Sequence, residues 1–200
     1  MSEGIIGGTI VAIRARDGVT IAGEKRLSYG GFIISKAAKK VHPVTNTIGV
    51  GFAGIYGDME RLLKILRLEA QYYETEVGRP ISVRSLAKYL SVLLFSYKVL
   101  PFYVETVVGG IDESGPRIYL LDPVGSLIED KYVAAGTGAP IAMGLIEPAY
   151  RDDINVSEAK ELAVKAVMEA IERDAVSGDG VDILVITSSG YILEEKLLKR

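Results

Sequence analysis

The 200-residue chain contains no cysteine and no tryptophan, and it has a single histidine, His42. Without cysteine there is no disulfide framework, no thiolate metal site and no cysteine nucleophile. One histidine cannot build a multi-histidine metal centre, and beside Pro43 it reads as a satisfied structural residue. No metal and no cofactor is expected. The chain also lacks any apolar run approaching the roughly 18 residues that span a bilayer. Its opening, Met1-Ser2-Glu3-Gly4-Ile5-Ile6-Gly7-Gly8, has neither the basic start nor the long apolar stretch of a signal peptide. These absences predict a cytoplasmic protein with no membrane partner. Amide side chains are scarce as well, with only Asn46, Gln71 and Asn155, and this depletion of heat-labile residues fits a thermophile.

An excess of one charge is missing too. Lysine and arginine number 23 against 26 acidic residues, for a net charge of −3, and the two signs are interspersed. No basic stripe invites nucleic acid or anionic lipid. What the chain has in quantity is apolar side chains, 48% of the total, enough for one continuous core at this length. No Pro/Gly-rich linker or solenoid-period repeat divides it, so a single domain is expected over residues 9–200, with residues 1–8 as a possible propeptide.

The pattern alternates blocks of strands with pairs of helices. Thr9–Ala15 and Val19–Lys25 are β-branched runs joined by Arg16-Asp17-Gly18, a hairpin signal. Further strands are predicted at 31–34, 39–42 and 47–53. Met59, Leu62, Leu63, Leu66, Ala70 and Tyr73 recur at helical spacing, predicting a helix over 56–74. A second helix should start after Ser82 as N-cap, carry Leu86, Leu90, Leu93, Leu94 and Val99, and stop at Pro101. Strands return at 105–111, 117–121 and 131–135, around turn signals at 113–116 and 123–125. Two more helices are expected at 140–150 and 157–177, the latter capped by Ser157, and 181–187 reads as a last central strand. This order departs from strict β-α alternation. It predicts an α+β fold: a four-layer α/β/β/α sandwich with two mostly antiparallel sheets.

Two motifs bear on chemistry. Gly49-Val50-Gly51-Phe52-Ala53-Gly54 matches G-x-G-x-x-G, but a dinucleotide site needs a strand before the first glycine, and here a turn, Pro43-Val44-Thr45-Asn46, precedes it. Close backbone packing or an oxyanion-binding amide fits these glycines better. The second motif is the Gly8-Thr9 junction, where a polar and glycine-rich leader meets the first strand. A threonine freed by cleavage can use its own α-amine as base, with a nearby lysine tuning the hydroxyl, and Lys40 with Glu24 could supply that lysine and its partner. An ordinary strand-starting threonine and a surface ion pair account for the same residues.

Taken together, Gly8-Thr9-Ile10-Val11-Ala12-Ile13, Asp17-Gly18-Val19, Ala22-Gly23-Glu24-Lys25-Arg26, Lys39-Lys40-Val41, Ala53-Gly54, Gly57-Asp58, the run from Val108 to Asp112 and the run from Ile171 to Gly178 resemble archaeal 20S proteasome β subunits, N-terminal-nucleophile hydrolases. The resemblance extends from Gly8 to about Thr187. It implies that Lys40 stands beside the nucleophile, that Glu24 orients it where the family usually has Asp, and that Gly54 donates the oxyanion-hole amide. It also implies that Asp174 and Ser177 bond around the nucleophile, with Thr137 where the family usually has Ser. Leu27, Ser28, Ala38, Phe52 and Tyr56 would line the substrate pocket, narrowed by Phe52 and Leu27 toward small side chains.

One departure bears on activity. Active family members begin with two or three threonines before Val-Gly, and that alignment puts Gly8, not Thr9, on the nucleophile. Two expectations follow. In the first, this is a threonine-type endopeptidase, a zymogen that cleaves itself between Gly8 and Thr9 and attacks peptides with Thr9. In the second, it is a silent structural β subunit beside an active paralogue. A bacterial two-component peptidase and an α-type ring subunit resemble the chain less. The resemblance further implies α subunits and other β subunits as partners, fourteen of each in four seven-membered rings, a regulatory ATPase acting through the α ring, and unfolded polypeptides as substrates.

Overall fold

The computed structural model describes residues 7–198. Most of the expected propeptide, residues 1–6 of 1–8, therefore lies outside the described residues. The elements are β1 (Ile10–Arg14), β2 (Gly18–Glu24), β3 (Leu27–Tyr29), β4 (Phe32–Ser35), β5 (Val41–Pro43), β6 (Ile48–Gly54), α1 (Tyr56–Val77), α2 (Val83–Ser96), β7 (Val104–Asp112), β8 (Gly115–Leu121), β9 (Leu127–Asp130), β10 (Tyr132–Ala135), α3 (Ala139–Ala149), α4 (Val156–Arg173), β11 (Gly180–Thr187) and β12 (Gly190–Leu197).

Two five-stranded sheets carry the fold, with orders β10-β1-β2-β11-β12 and β5-β6-β7-β8-β9, and β3 with β4 forms a separate hairpin. Every strand pair in them is antiparallel. Helices α1 and α2 bury Met59, Leu62, Leu66, Leu86, Leu90 and Leu94 against Phe52, Val108 and Leu121 of the second sheet. Helices α3 and α4 bury Ile146, Ala163 and Val167 against Val11, Ile13 and Ile183 of the first. A third apolar layer, including Ile10, Val19, Ile21, Val107, Ile118 and Leu184, lies between the sheets. This is the α/β/β/α sandwich that the order of elements predicts. Removing a side chain as deeply buried as Leu66 would cost about 2–5 kcal/mol.

The glycines of β6 explain the G-x-G-x-x-G match. Gly49 and Gly51 sit inside the strand, where a β-carbon would lie 2.2 Å from the Leu184 side chain and 2.6 Å from that of Ile10. They let the sheets approach, which is the close-packing role expected for them.

Several boundaries differ from expectation. Helix α2 does start behind Ser82, whose hydroxyl accepts the Ser85 amide, but it ends at Ser96. Val99 lies beyond it and is 93% exposed. Helix α4 is capped by Asn155 instead of Ser157, because Asn155 and Glu158 form a reciprocal capping box, and it ends at Arg173. Strand β11 is the last central strand, as expected, but an edge strand that was not expected, β12, follows it and pairs along its whole length. Strands β3 and β9 were not anticipated either; both are short, largely solvent-facing, and carry little apolar alternation.

Candidate active site

The site gathers at the start of β1, where the backbone of Gly8 and Thr9 meets three other segments. The Gly136-Thr137-Gly138 turn lies on one side. Gly136 has a left-handed backbone (φ +88°), and a β-carbon there would stand 2.1 Å from the Gly8 carbonyl oxygen, so only glycine permits this approach. Gly138 lies against the Thr9 side chain in the same way, 2.0 Å from Oγ1 to an added β-carbon. The Gly8 amide donates to Thr137 Oγ1 at 3.2 Å, and the Thr137 hydroxyl donates to Asp174 Oδ2 at 2.6 Å.

On the next side is the loop after α4. Ser177 donates to Asp174 Oδ2 at 2.7 Å, which leaves its oxygen to accept from Thr9 Oγ1 at 2.9 Å. Thr9 and Ser177 are both buried. Thr137, Asp174, Ser177 and Thr9 thus form one hydrogen-bonded chain.

On the third side is the buried pair Lys40–Glu24, at 3% and 0% side-chain exposure. Glu24 Oε1 accepts the Lys40 ammonium, while Oε2 accepts the amides of Arg26 at 2.6 Å and Gly178 at 2.9 Å. Burial pushes the Glu24 carboxyl above the usual carboxylate range, outweighing Lys40 and the two amides. A β-carbon at Gly8, whose φ is +109°, would stand 2.6 Å from both Lys40 Nζ and Glu24 Oε1. Position 8 therefore faces the lysine, and position 9, one residue on, faces Ser177 and Gly138. This is the alternation of an extended chain. Among the described residues no hydrogen bond joins Thr9 to Lys40.

A cavity of about 390 Å³ opens beside Lys40, lined by Gly7, Leu27, Ser28, Ile34, Gly54, Tyr56 and Val176 among others. Of the expected pocket residues, Leu27, Ser28 and Tyr56 line it. Ala38 and Phe52 do not: both are buried, and Phe52 points across β6 into the α1–α2 core. The expected narrowing by Phe52 therefore loses its physical basis. Gly54 is at the cavity wall with φ +147°, held so closely that an added β-carbon would be 2.2 Å from the Tyr103 carbonyl oxygen.

Arg26 escaped the sequence reading. Its Nε donates to Asp179 Oδ2 at 2.9 Å and its Nη1 to the Ala175 carbonyl at 3.0 Å, fixing the loop that carries Asp174 and Ser177. The signal was its place two residues after Glu24, with Gly178 leaving room for the guanidinium. His42 has the ordinary role expected of it, its Nε2 3.0 Å from the Lys39 carbonyl.

Residues 6–186 match the family model described as proteasome subunit. The chain is 60% identical over 193 residues to proteasome subunit beta 1 of Staphylothermus marinus, covering 96% of this chain and 91% of that protein. It is 54% identical over 199 residues to proteasome subunit beta 1 of Desulfurococcus amylolyticus, covering 100% and 98%. With proteasome subunit beta 2 of Caldivirga maquilingensis the identity is 54% over 185 residues, 92% of each chain.

Proposed function

Because this chain belongs to the proteasome subunit family, as a β-type subunit of the 20S core with a role in proteolysis, we propose that it builds the degradation chamber without a nucleophile of its own. The observation that carries this reading is at Gly8. A β-carbon at position 8 would stand 2.6 Å from both Lys40 Nζ and Glu24 Oε1, and that position holds a residue with no side chain.

The chemistry of the family's threonine sites explains why this matters. A hydroxyl attacks a peptide carbonyl only when a base takes its proton and a nearby cation stabilises the oxygen, after which water releases the acyl group. Lys40 supplies a cation and Gly54 lies where an amide could meet the developing oxyanion. At Gly8 there is no oxygen to attack with. Thr9 has one, but its hydroxyl is bound to Ser177 inside the fold. Self-cleavage before Thr9 would need the Thr9 hydroxyl to attack the Gly8 carbonyl carbon, and that hydroxyl is bound to Ser177 with no hydrogen bond to Lys40 among the described residues, so in this reading residues 1–8 stay attached. In this reading Glu24, Lys40, Thr137, Asp174 and Ser177 hold the start of β1 in place, and an active paralogous β subunit cuts the peptides.

The family implies assembly with other subunits. We extend this to rings of seven, fourteen α and fourteen β subunits, fed with unfolded polypeptide by a regulatory ATPase in the cytoplasm. No described helix is long and apolar enough to cross a membrane, which is compatible with that setting.

The test is the intact mass of the chain in particles assembled with α subunits alone and with a paralogous β subunit. The full 21.6 kDa in both, with no peptidase activity in the α-only particle, is the expected result. Loss of residues 1–8 together with activity in the α-only particle would restore Thr9 as the nucleophile.

A further inference from the structure

The cavity of about 390 Å³ beside Lys40 has two cations on its wall and no acidic residue. Its volume lies in the range of small-molecule pockets, roughly 300–1,000 Å³. Leu27, Ile34, Ile55 and Val176 give it an apolar side, and Ser28, Tyr29 and Tyr56 add hydroxyls. Of the two cations, Arg26 is matched by Asp179 at 2.9 Å. Lys40 is the other, and its ammonium stands in the space that a side chain at position 8 would take, with 3% of the lysine side chain exposed.

An ammonium has three hydrogens to donate. Among the described residues that of Lys40 has one acceptor, Glu24 Oε1. Glu24 is a weak counter-ion for it, because burial raises the affinity of this carboxyl for a proton and its other oxygen already accepts the amides of Arg26 and Gly178. A hydroxyl at position 8 would give the lysine an oxygen to hold, and Gly8 gives it none.

The start of α1 adds to the same sign. Tyr56 and Gly57, its first two residues, border the cavity, and Ile55 before them offers no side-chain cap. Asp58, the acid of that turn, accepts the Tyr103 amide at 3.0 Å. A β-carbon on Gly57 would meet nothing within 4 Å, so the helix start is open on that side. The positive end of a 22-residue helix thus lies at the cavity wall without a cap.

A buried cation, an open helix start and an apolar wall around one cavity suit a ligand with one negative charge beside an apolar group. We propose that the free C-terminal end of a peptide occupies this cavity, its carboxylate accepting from Lys40 and its last, apolar side chain lying among Leu27, Ile34 and Val176. A carboxylate on an ammonium makes a charge-assisted hydrogen bond, roughly twice as strong as a neutral one. An uncut peptide presents a neutral amide at that point and forgoes it. The subunit therefore holds products of proteolysis in preference to substrates. This rests on the reading of Gly8 given above, because a side chain at position 8 would compete for the same ammonium.

The test uses assembled particles whose active paralogous subunit is blocked by a covalent inhibitor. Two fluorescein-labelled tripeptides ending in leucine serve as probes, one with a free carboxylate and one with a C-terminal amide. Fluorescence anisotropy should show the acid binding roughly ten- to a hundredfold tighter than the amide. Ile34→Glu, at a residue 58% exposed, puts an acid on the cavity wall without emptying the core and should remove that preference. Equal affinities for acid and amide, or a preference unchanged by Ile34→Glu, overturn the inference. Decanoate displacing the labelled acid at lower concentration than the unlabelled peptide does would make a lipid acid the ligand and overturn it as well. Intact mass of the chain in the same particles reads the Gly8 proposal by itself. With residues 1–8 attached, equal affinities count against product binding alone; with those residues lost, both proposals fall.

Discussion

Thr9 and Ser177, 168 positions apart in the sequence, share a 2.9 Å hydrogen bond between buried hydroxyls. Ser177 already donates to Asp174, so the proton in that bond is Thr9's own. A threonine in this position behaves as a strut between β1 and the loop after α4.

Replacing Thr9 by Val removes the strut and keeps the volume. It should cost about 1 kcal/mol, the usual net worth of such a bond. For a domain of this size that is a fall in melting temperature of about 2–4 °C. Peptide hydrolysis by the assembled particle should not change; a large loss of activity would give Thr9 a chemical role.

Gly8→Ala should destabilise the chain by about 1–3 kcal/mol, since φ of +109° is strained for any residue with a β-carbon. The added methyl must also displace the Lys40–Glu24 pair. Thermal unfolding of the variant measures it, and a melting temperature equal to that of the unaltered chain would show that the pair yields without cost.

Lys40→Met leaves Glu24 buried without its cation. A loss of about 3–5 kcal/mol is expected, and the double variant Lys40→Met, Glu24→Gln should lose less than the two single changes added together. Denaturation of all three variants checks the coupling.

The raised Glu24 carboxyl, due first to burial, makes a prediction about pH. Above the unfolded value of 4.5 the unfolded chain releases a proton that the folded chain still holds. Glu24's contribution to stability is therefore greatest below pH 4.5 and declines as pH rises from there toward the folded pKa. Glu24→Gln should flatten that part of the stability profile. An unaltered slope in the variant would assign it to other groups.

The layers of the fold were legible because they rest on local periodicity. The stripe from Met59 to Ala70 and the Ser82 cap are written in neighbouring residues, and both are found in the structure. The Asn155 cap is legible as well, since Glu158 stands three residues on, but Ser157, two residues later, is an equally good capping residue type. Other features were not available locally. Strand β12 has exposed Ile192 and Leu193 and gains its place only by pairing with β11. The facing of Gly8 and Thr9 depends on register, which the alignment of Gly8 with the family's nucleophile suggests and only the three-dimensional path displays. Phe52 was assigned to the pocket by resemblance, whereas strand alternation turns it to the opposite side.

Gly49, Gly51 and Gly109 leave the two sheets with branched side chains of one seated against bare backbone of the other. Such a seam has no slack: neither sheet can slide over the other without forcing Leu184, Ile10 or Val19 into main-chain atoms. Mechanically the subunit is a stiff block. In the assembly proposed above, any breathing of the enclosed chamber falls to the joints between chains, where it would be felt as altered rotation of whole subunits and not as bending within them.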